Sequence, residues 1–378
     1  MRRILLSTIA ITTISIAQVQ APTELDDMKR QLNNLKEKID KLEKRNPVLP
    51  VRHEPKIPNK SLVKSKVPVL KFSGTHYLGF VNSSPEEGDA TNKFETRRNY
   101  LQVKAYFKEN PKDYMRITLD THDHDGESGV RLKYAYLYLD NILPNTGVEF
   151  GQAHRPWIDY EEHNGWNYRA ISKVFVEESN AGHLTNSADR GINFKTKLDY
   201  FSSELGVFNG EGYHNEEDGK NLSEEWRLTG HILGTGKKKS KKSIQYANVS
   251  FFGQQNQESN KHKNEDLNWY GVHAVYNQPE FLISAQYIDV TDANDAYKGS
   301  GYSVNGEYRV AEDWNLIGKY DYFEMDVDST EKKRALAGIA YEYNHNVEFI
   351  LNYLTEGGNA LNNKKTRDAV MLTAEVEW

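Results

Sequence analysis

Residues 156–186 combine acids, bases and aromatics in a way that can do chemistry. They run Pro156-Trp157-Ile158-Asp159-Tyr160-Glu161-Glu162-His163-Asn164-Gly165-Trp166-Asn167-Tyr168-Arg169, then continue through Lys173, Glu177 and Glu178. No strand period runs through them, and a connection of about thirty residues without structure of its own is usually functional. A second stretch, Asp120-Thr121-His122-Asp123-His124-Asp125-Gly126-Glu127, is dense in carboxylate and imidazole. Thr121 and Leu132 fill the first and twelfth positions of its EF-hand register, so the closing ligands of such a loop are missing. Calcium or transition-metal binding and a solvated loop are the alternatives there, and no metal or cofactor is assigned. Gly236-Lys237-Lys238-Lys239-Ser240-Lys241-Lys242 packs five lysines into one turn, which either draws anions or is merely solvated. Acyl chemistry needs a nucleophile, a base and an orienting acid in contact. Gly301-Tyr302-Ser303-Val304-Asn305 lacks the second glycine of a nucleophile elbow, and the 12 histidines are scattered. The chain does not read as an enzyme.

The elements that must position these residues are strands. From residue 69 to 378 the chain repeats about ten alternating apolar and polar residues followed by a turn, about sixteen times. Met115, Ile117 and Leu119 face opposite to Arg116, Thr118 and Asp120. Val347, Phe349, Leu351 and Tyr353 oppose Glu348 and Asn352, and Leu372, Ala374, Val376 and Trp378 oppose Thr373, Glu375 and Glu377. Tight connections such as Asn110-Pro111 and Asn344-His345-Asn346 alternate with long ones. That parity predicts an all-β transmembrane barrel of about 16 antiparallel strands, with short periplasmic turns and long outer loops. A terminal aromatic such as Trp378 is typical of outer-membrane barrels.

Taking the polar faces as lumenal, one arc carries Arg98, Lys104, Arg116, Arg131, Lys133, Lys195 and Lys197 against Asp120 and Glu149. The other carries Glu307, Asp321, Glu342, Glu348, Glu375 and Glu377 against Arg309 and Lys319. Facing arcs of opposite sign would set a transverse field across a pore, and rings of charge set ion preference. The plainer alternative is that these charges only hydrate a channel. The expected constriction has Arg98, Lys104, Arg116, Arg131, Lys133, Arg155 and Arg169 as its positive side. Glu161, Glu162, Glu307 and Asp321 are its counter-wall and loop acids.

Gly151-Gln152-Ala153-His154-Arg155-Pro156-Trp157-Ile158-Asp159-Tyr160-Glu161-Glu162 resembles the entry to the third loop of a known family. Val174-Phe175-Val176-Glu177-Glu178-Ser179, Ala188-Asp189-Arg190-Gly191-Ile192 and Val130-Arg131-Leu132-Lys133-Tyr134-Ala135-Tyr136-Leu137-Tyr138 are similar to neighbouring parts of it. That family is the phosphate- and polyphosphate-selective porins O and P. The resemblance implies a trimeric sixteen-stranded outer-membrane channel, with a third loop folded into the lumen and phosphate among its solutes. Where the family usually has Glu-Arg-Ser, this chain has Glu177-Glu178-Ser179, which adds a carboxylate to the loop.

Residues 1–17 read as a signal peptide. Arg2 and Arg3 precede an apolar core over 4–16, and Ser15-Ile16-Ala17 offers a cleavage site. Residues 23–46 read as a periplasmic coiled coil, with Leu25, Met28, Leu32, Leu35, Ile39 and Leu42 as its seam. A single amphipathic helix is the alternative. Residues 47–68 interleave Pro47, Pro50, Pro55, Pro58 and Pro68 with Arg52, Lys56, Lys60, Lys64 and Lys66, an extended linker that is either merely solvated or rests its charge on peptidoglycan. There are no cysteines, and the net charge of -6 becomes about -8 once the two arginines leave with the signal, which argues against nucleic acid. A mean hydropathy of -0.76 with 23 Tyr and 6 Trp fits a polar lumen with aromatic girdles.

The sequence therefore predicts a Gram-negative outer-membrane porin, passive, with a weak anion and possible phosphate preference. It would be a homotrimer in outer-membrane lipid, admitting small anions or hydrophilic solutes. A general porin without anion preference, or a structural or adhesive barrel tethered through its coiled coil, are the competing readings.

Overall fold

The computed structural model describes residues 29–38, 41, 68–85, 89–124, 127–215, 222–238, 242–259, 265–294, 297–327, 330–358 and 367–378. The signal peptide and all of the linker but Pro68 lie outside them. Of the expected coiled coil, residues 29–38 are helical with Leu32 and Leu35 exposed, while Leu25, Met28, Ile39 and Leu42 lie outside the described residues.

The strands are β1 (Val69–Pro85), β2 (Thr91–Tyr106), β3 (Tyr114–His124), β4 (Glu127–Leu143), β5 (Thr146–His154), β6 (Ala188–Lys197), β7 (Phe201–Phe208) and β8 (Ser223–Leu233). They continue as β9 (Tyr246–Ser259), β10 (Glu265–Gln278), β11 (Phe281–Asp292), β12 (Gly299–Ala311), β13 (Trp314–Met325), β14 (Thr330–Asn344), β15 (Val347–Gly357) and β16 (Arg367–Glu377). Each pairs antiparallel with its sequence neighbours, and β1 pairs with β16, so the 16 strands form a closed barrel. Closure gives every strand two hydrogen-bonded neighbours and removes the sheet edge, which is what a bilayer demands of a spanning sheet.

The alternation follows from the two sides of that wall. Leu351, Tyr353, Val370 and Leu372 point out and are exposed, whereas Asn352 and Thr373 point in and are buried. An outward apolar band around a polar lumen is the membrane-spanning arrangement. Several inward positions depart from it: Ile288, Ile317, Phe323, Leu336, Ile350 and Leu354 are apolar and buried. They belong to a cluster with Trp157, Trp166, Val174 and Phe175, so the connection between β5 and β6 covers them.

Of the register shifts in the barrel, those on β2 and β4 bear on the lumen. Opposite β1 the register passes from Tyr77↔Arg98 to Leu78↔Thr96, leaving Arg97 as an extra residue. Opposite β3 it passes from Thr118↔Tyr134 to Leu119↔Leu132, leaving Lys133 as the extra residue. A bulge puts two residues opposite one and re-aims a side chain. Arg97 accordingly reaches Thr373 in the lumen although Arg98 also faces inward. Residues 120–124 of the Asp120–Glu127 segment belong to β3 and Glu127 begins β4, with residues 125–126 and the side chains of 122–128 outside the described residues.

Candidate constriction and outer cavity

The third loop enters the lumen through a buried ionic anchor. Arg155, only 2% exposed, meets Glu225 of β8 at 2.6 Å and Asp189 of β6 at 3.3 Å, and donates to Thr185. A short helix, α1 (Ile158–Asn164), follows. Trp157 at its start stacks on Phe252 of β9, with centroids 3.6 Å apart and planes 5° from parallel. Its indole donates to Glu161 at 2.8 Å, and Gln286 of β11 donates to the same carboxylate. Glu161 is 0% exposed, and that burial pushes its carboxyl up to about 7.

Beyond α1 the loop crosses to other strands. Lys319 of β13 donates to the Lys173 carbonyl at 2.7 Å, and Arg334 of β14 to Ser172 Oγ at 2.8 Å. Arg97 of β2 donates to the Ala170 carbonyl at 3.0 Å and to Thr373 of β16 at 2.8 Å. Within the loop Arg169 bridges Glu162 and Glu177, the latter at 2.7 Å. Burial alone would raise the Glu177 carboxyl, but Arg169 and Lys173 hold it well below the usual carboxylate range. The loop is thus fixed to β8, β9, β11, β13, β14 and β2 by contacts that bury both polar and apolar groups.

Opposite Arg169 stands a wall of cations and tyrosines on β2 to β4. Arg98 and Arg131 share the buried carboxylate of Asp120, at 2.8 and 3.0 Å. Lys133 lies over the rings of Tyr100 at 4.3 Å and Tyr134 at 5.3 Å. It is 5% exposed, and among the described residues no carboxylate comes within ion-pair distance of it. Arg116 rests on Tyr134 at 4.4 Å and meets His154 at 2.9 Å, while Lys104 sits over Tyr114 at 4.9 Å. A cation over a ring face is attracted by the negative face of the ring.

Most of the expected constriction residues fall into two groups, with Lys104, Arg116 and Glu307 in neither. Arg98, Arg131, Lys133 and Arg169, with Glu162 at the loop's edge, gather around Asp120, Tyr100 and Glu177. Arg155, Glu161 and Asp321 sit beneath the loop; Asp321 is 1% exposed between Lys319 at 3.2 Å and Arg334 at 3.3 Å. Glu307 is held by Arg309 at 2.6 Å. Sequence reasoning missed Arg97, because strict alternation sends one member of Arg97-Arg98 outward. It also missed Arg334, although Lys332 and Arg334 share the inward parity of β14 and were legible on that ground.

Above the loop lies a cavity of about 580 Å³ between residues 169–173, 178–180 and the inner faces of β1, β2 and β14 to β16. Seven cations line it (Lys93, Arg97, Arg98, Arg169, Lys173, Arg334 and Arg367) against the carboxylates Glu95, Glu178 and Glu356. Val81, Ile171, Leu354 and Met371 line it as well.

No protein-family model matches the chain, and no curated protein matches it in sequence. Solved structures do. An anion-selective porin from Comamonas acidovorans superposes with a TM-score of 0.59 at 11% identity, covering 82% of this chain and 99% of that one. OmpT, an outer membrane protein of Vibrio cholerae in its trimer form, gives 0.57 at 14% over 82% and 100%. OmpF of Salmonella typhi, in complex with daunomycin, gives 0.57 at 13% over 82% and 98%. At such identities the likeness speaks for the fold, and the chain has the closed-barrel fold of outer-membrane porins.

Proposed function

We propose that this chain is an outer-membrane porin, a passive channel for small hydrophilic solutes and ions with a weak preference for anions, phosphate among them. The observation that carries the preference is Lys133, an ammonium in the lumen wall with no carboxylate within ion-pair distance among the described residues, over the rings of Tyr100 and Tyr134. The surplus of cations around the cavity above the loop supports the same sign, and a positively lined path raises the local concentration of anions. Most of those cations are paired, which fits a weak preference rather than a strict one. The channel works as a homotrimer in the outer membrane of a Gram-negative bacterium. Residues 23–46 read as a periplasmic coiled-coil stalk that could contact peptidoglycan.

Purified mature protein in planar bilayers tests this. Under a KCl gradient the reversal potential is expected to have the anion-selective sign, and Lys133→Gln moves it towards zero. Block by millimolar phosphate would assign phosphate as a bound solute; its absence leaves a general anion preference. A cation-selective potential overturns the preference. Folded protein that conducts nothing overturns the channel and restores the structural, envelope-tethering barrel.

A further inference from the structure

The cavity above the third loop carries more than charge. At about 580 Å³ it lies within the roughly 300–1,000 Å³ of small-molecule sites, which pair apolar walls with a few placed polar groups. An inorganic anion would use only its cationic side. Val81 of β1, Leu354 of β15 and Met371 of β16 project inward on adjacent strands, where a barrel lumen is ordinarily polar, and Ile171 of the loop joins them. Packing the loop against the wall covers most of this apolar surface, leaving each of the four at most 6% exposed, but all four also line the cavity.

Around them stand guanidiniums pinned in place. Arg334 is fixed by Glu356 at 2.6 Å, and Arg367 by Glu356 at 2.9 Å. Arg97 is fixed by Glu95 at 2.5 Å and by Ala170 and Thr373, while its Nη2 and the Nε of Arg367 are enclosed and find no hydrogen-bond acceptor among the described residues. Guanidinium forks suit planar carboxylates, which they bind through paired, charge-assisted hydrogen bonds. We infer that this cavity selects organic carboxylates with an apolar body, the carboxylate held by Arg97 and Arg367 and the body resting on Val81, Ile171, Leu354 and Met371. The inference rests on the channel reading above and names the solute class for it.

Competition in planar bilayers tests it, with chloride current through the reconstituted full chain titrated separately with acetate, benzoate and inorganic phosphate. Benzoate is expected to block at about a tenfold lower concentration than acetate, the effect of removing roughly 50 Å² of ring from water. Phosphate should block no better than acetate. Met371→Gln and, independently, Leu354→Gln should bring the benzoate-to-acetate ratio towards one. The ratio is taken within each channel, so a change in conductance cancels. Equal block by acetate and benzoate, stronger block by phosphate, or a benzoate advantage that survives both variants overturns the carboxylate site and leaves the pore standing. Cation-selective current overturns the anion preference and no current overturns the channel, and either result takes this inference with it.

Discussion

Glu161 shows how much a single lumenal side chain depends on its surroundings. Its carboxyl titrates near 7 in the folded loop against an ordinary value of 4.5, because it is wholly enclosed and its hydrogen bonds from Trp157 and Gln286 only partly offset that burial. The folded loop keeps a proton that the unfolded segment would release. Loop packing is therefore strongest below about pH 4.5, weakens as pH rises towards 7, and bears the full cost of the buried charge above that. Glu177 works in the opposite sense: its depressed value gives stability that is present above about pH 4.5 and is lost progressively as pH falls below it. Across pH 5 to 8 Glu161 is thus the titrating member of the pair. Single-channel records should grow noisier over that range, whereas Glu161→Gln should be quiet throughout. Identical pH profiles for the two proteins would exclude this role.

At the scale of the element, the third loop is a lumenal core laid against the barrel wall rather than a free segment. Its connections to Lys319 and Arg334 join residues 146 and 162 positions apart. Trp157→Ala removes the ring stacked on Phe252, and loss of a buried aromatic of this size costs about 3–5 kcal/mol. The expected result is a loop that leaves the wall. Conductance should rise and fluctuate, while the thermal unfolding of the barrel, held by its strand ladders, changes little. A conductance equal to that of the parent would show that the remaining anchors, Arg155 among them, suffice. The length and irregularity of 156–186 marked the loop in the sequence, but its partners were hidden because each is a single residue on a distant strand.

For the molecule as a whole, the decisive contact is the seam where the first and last strands meet. Trp378 exchanges backbone hydrogen bonds with Gly74 at 2.9 and 3.1 Å and donates its indole N–H to His76 at 2.9 Å. Gly74 lies beneath the indole; a Cβ there would come within 2.6 Å of it. Trp378→Ala keeps the ladder but loses the ring contact and the indole hydrogen bond. A half-exposed aromatic of this kind contributes about 1–2 kcal/mol. The urea midpoint in detergent should fall by a corresponding amount, and assembly into vesicles should slow. An unchanged midpoint would mean that the backbone pairs alone hold the seam.

By itself the sequence determined the barrel. Period-two alternation over sixteen segments, with short and long connections in turn, leaves a closed transmembrane sheet as the arrangement that satisfies every backbone group in a bilayer. The inward faces of β13, β15 and β16 followed from the same period, because burial on one side of a sheet fixes the parity of the whole strand. Tertiary structure decided which of the inward charges meet the solute path. The bulges at Arg97 and Lys133 depend on cross-strand register, which no local pattern records. The enclosure of Arg155, Glu161 and Asp321 depends on where the third loop lands, and that is set by aromatic and ionic partners on strands far along the chain. A charge on the inner face is legible from alternation; whether water or a neighbouring side chain covers it is a property of the packed molecule.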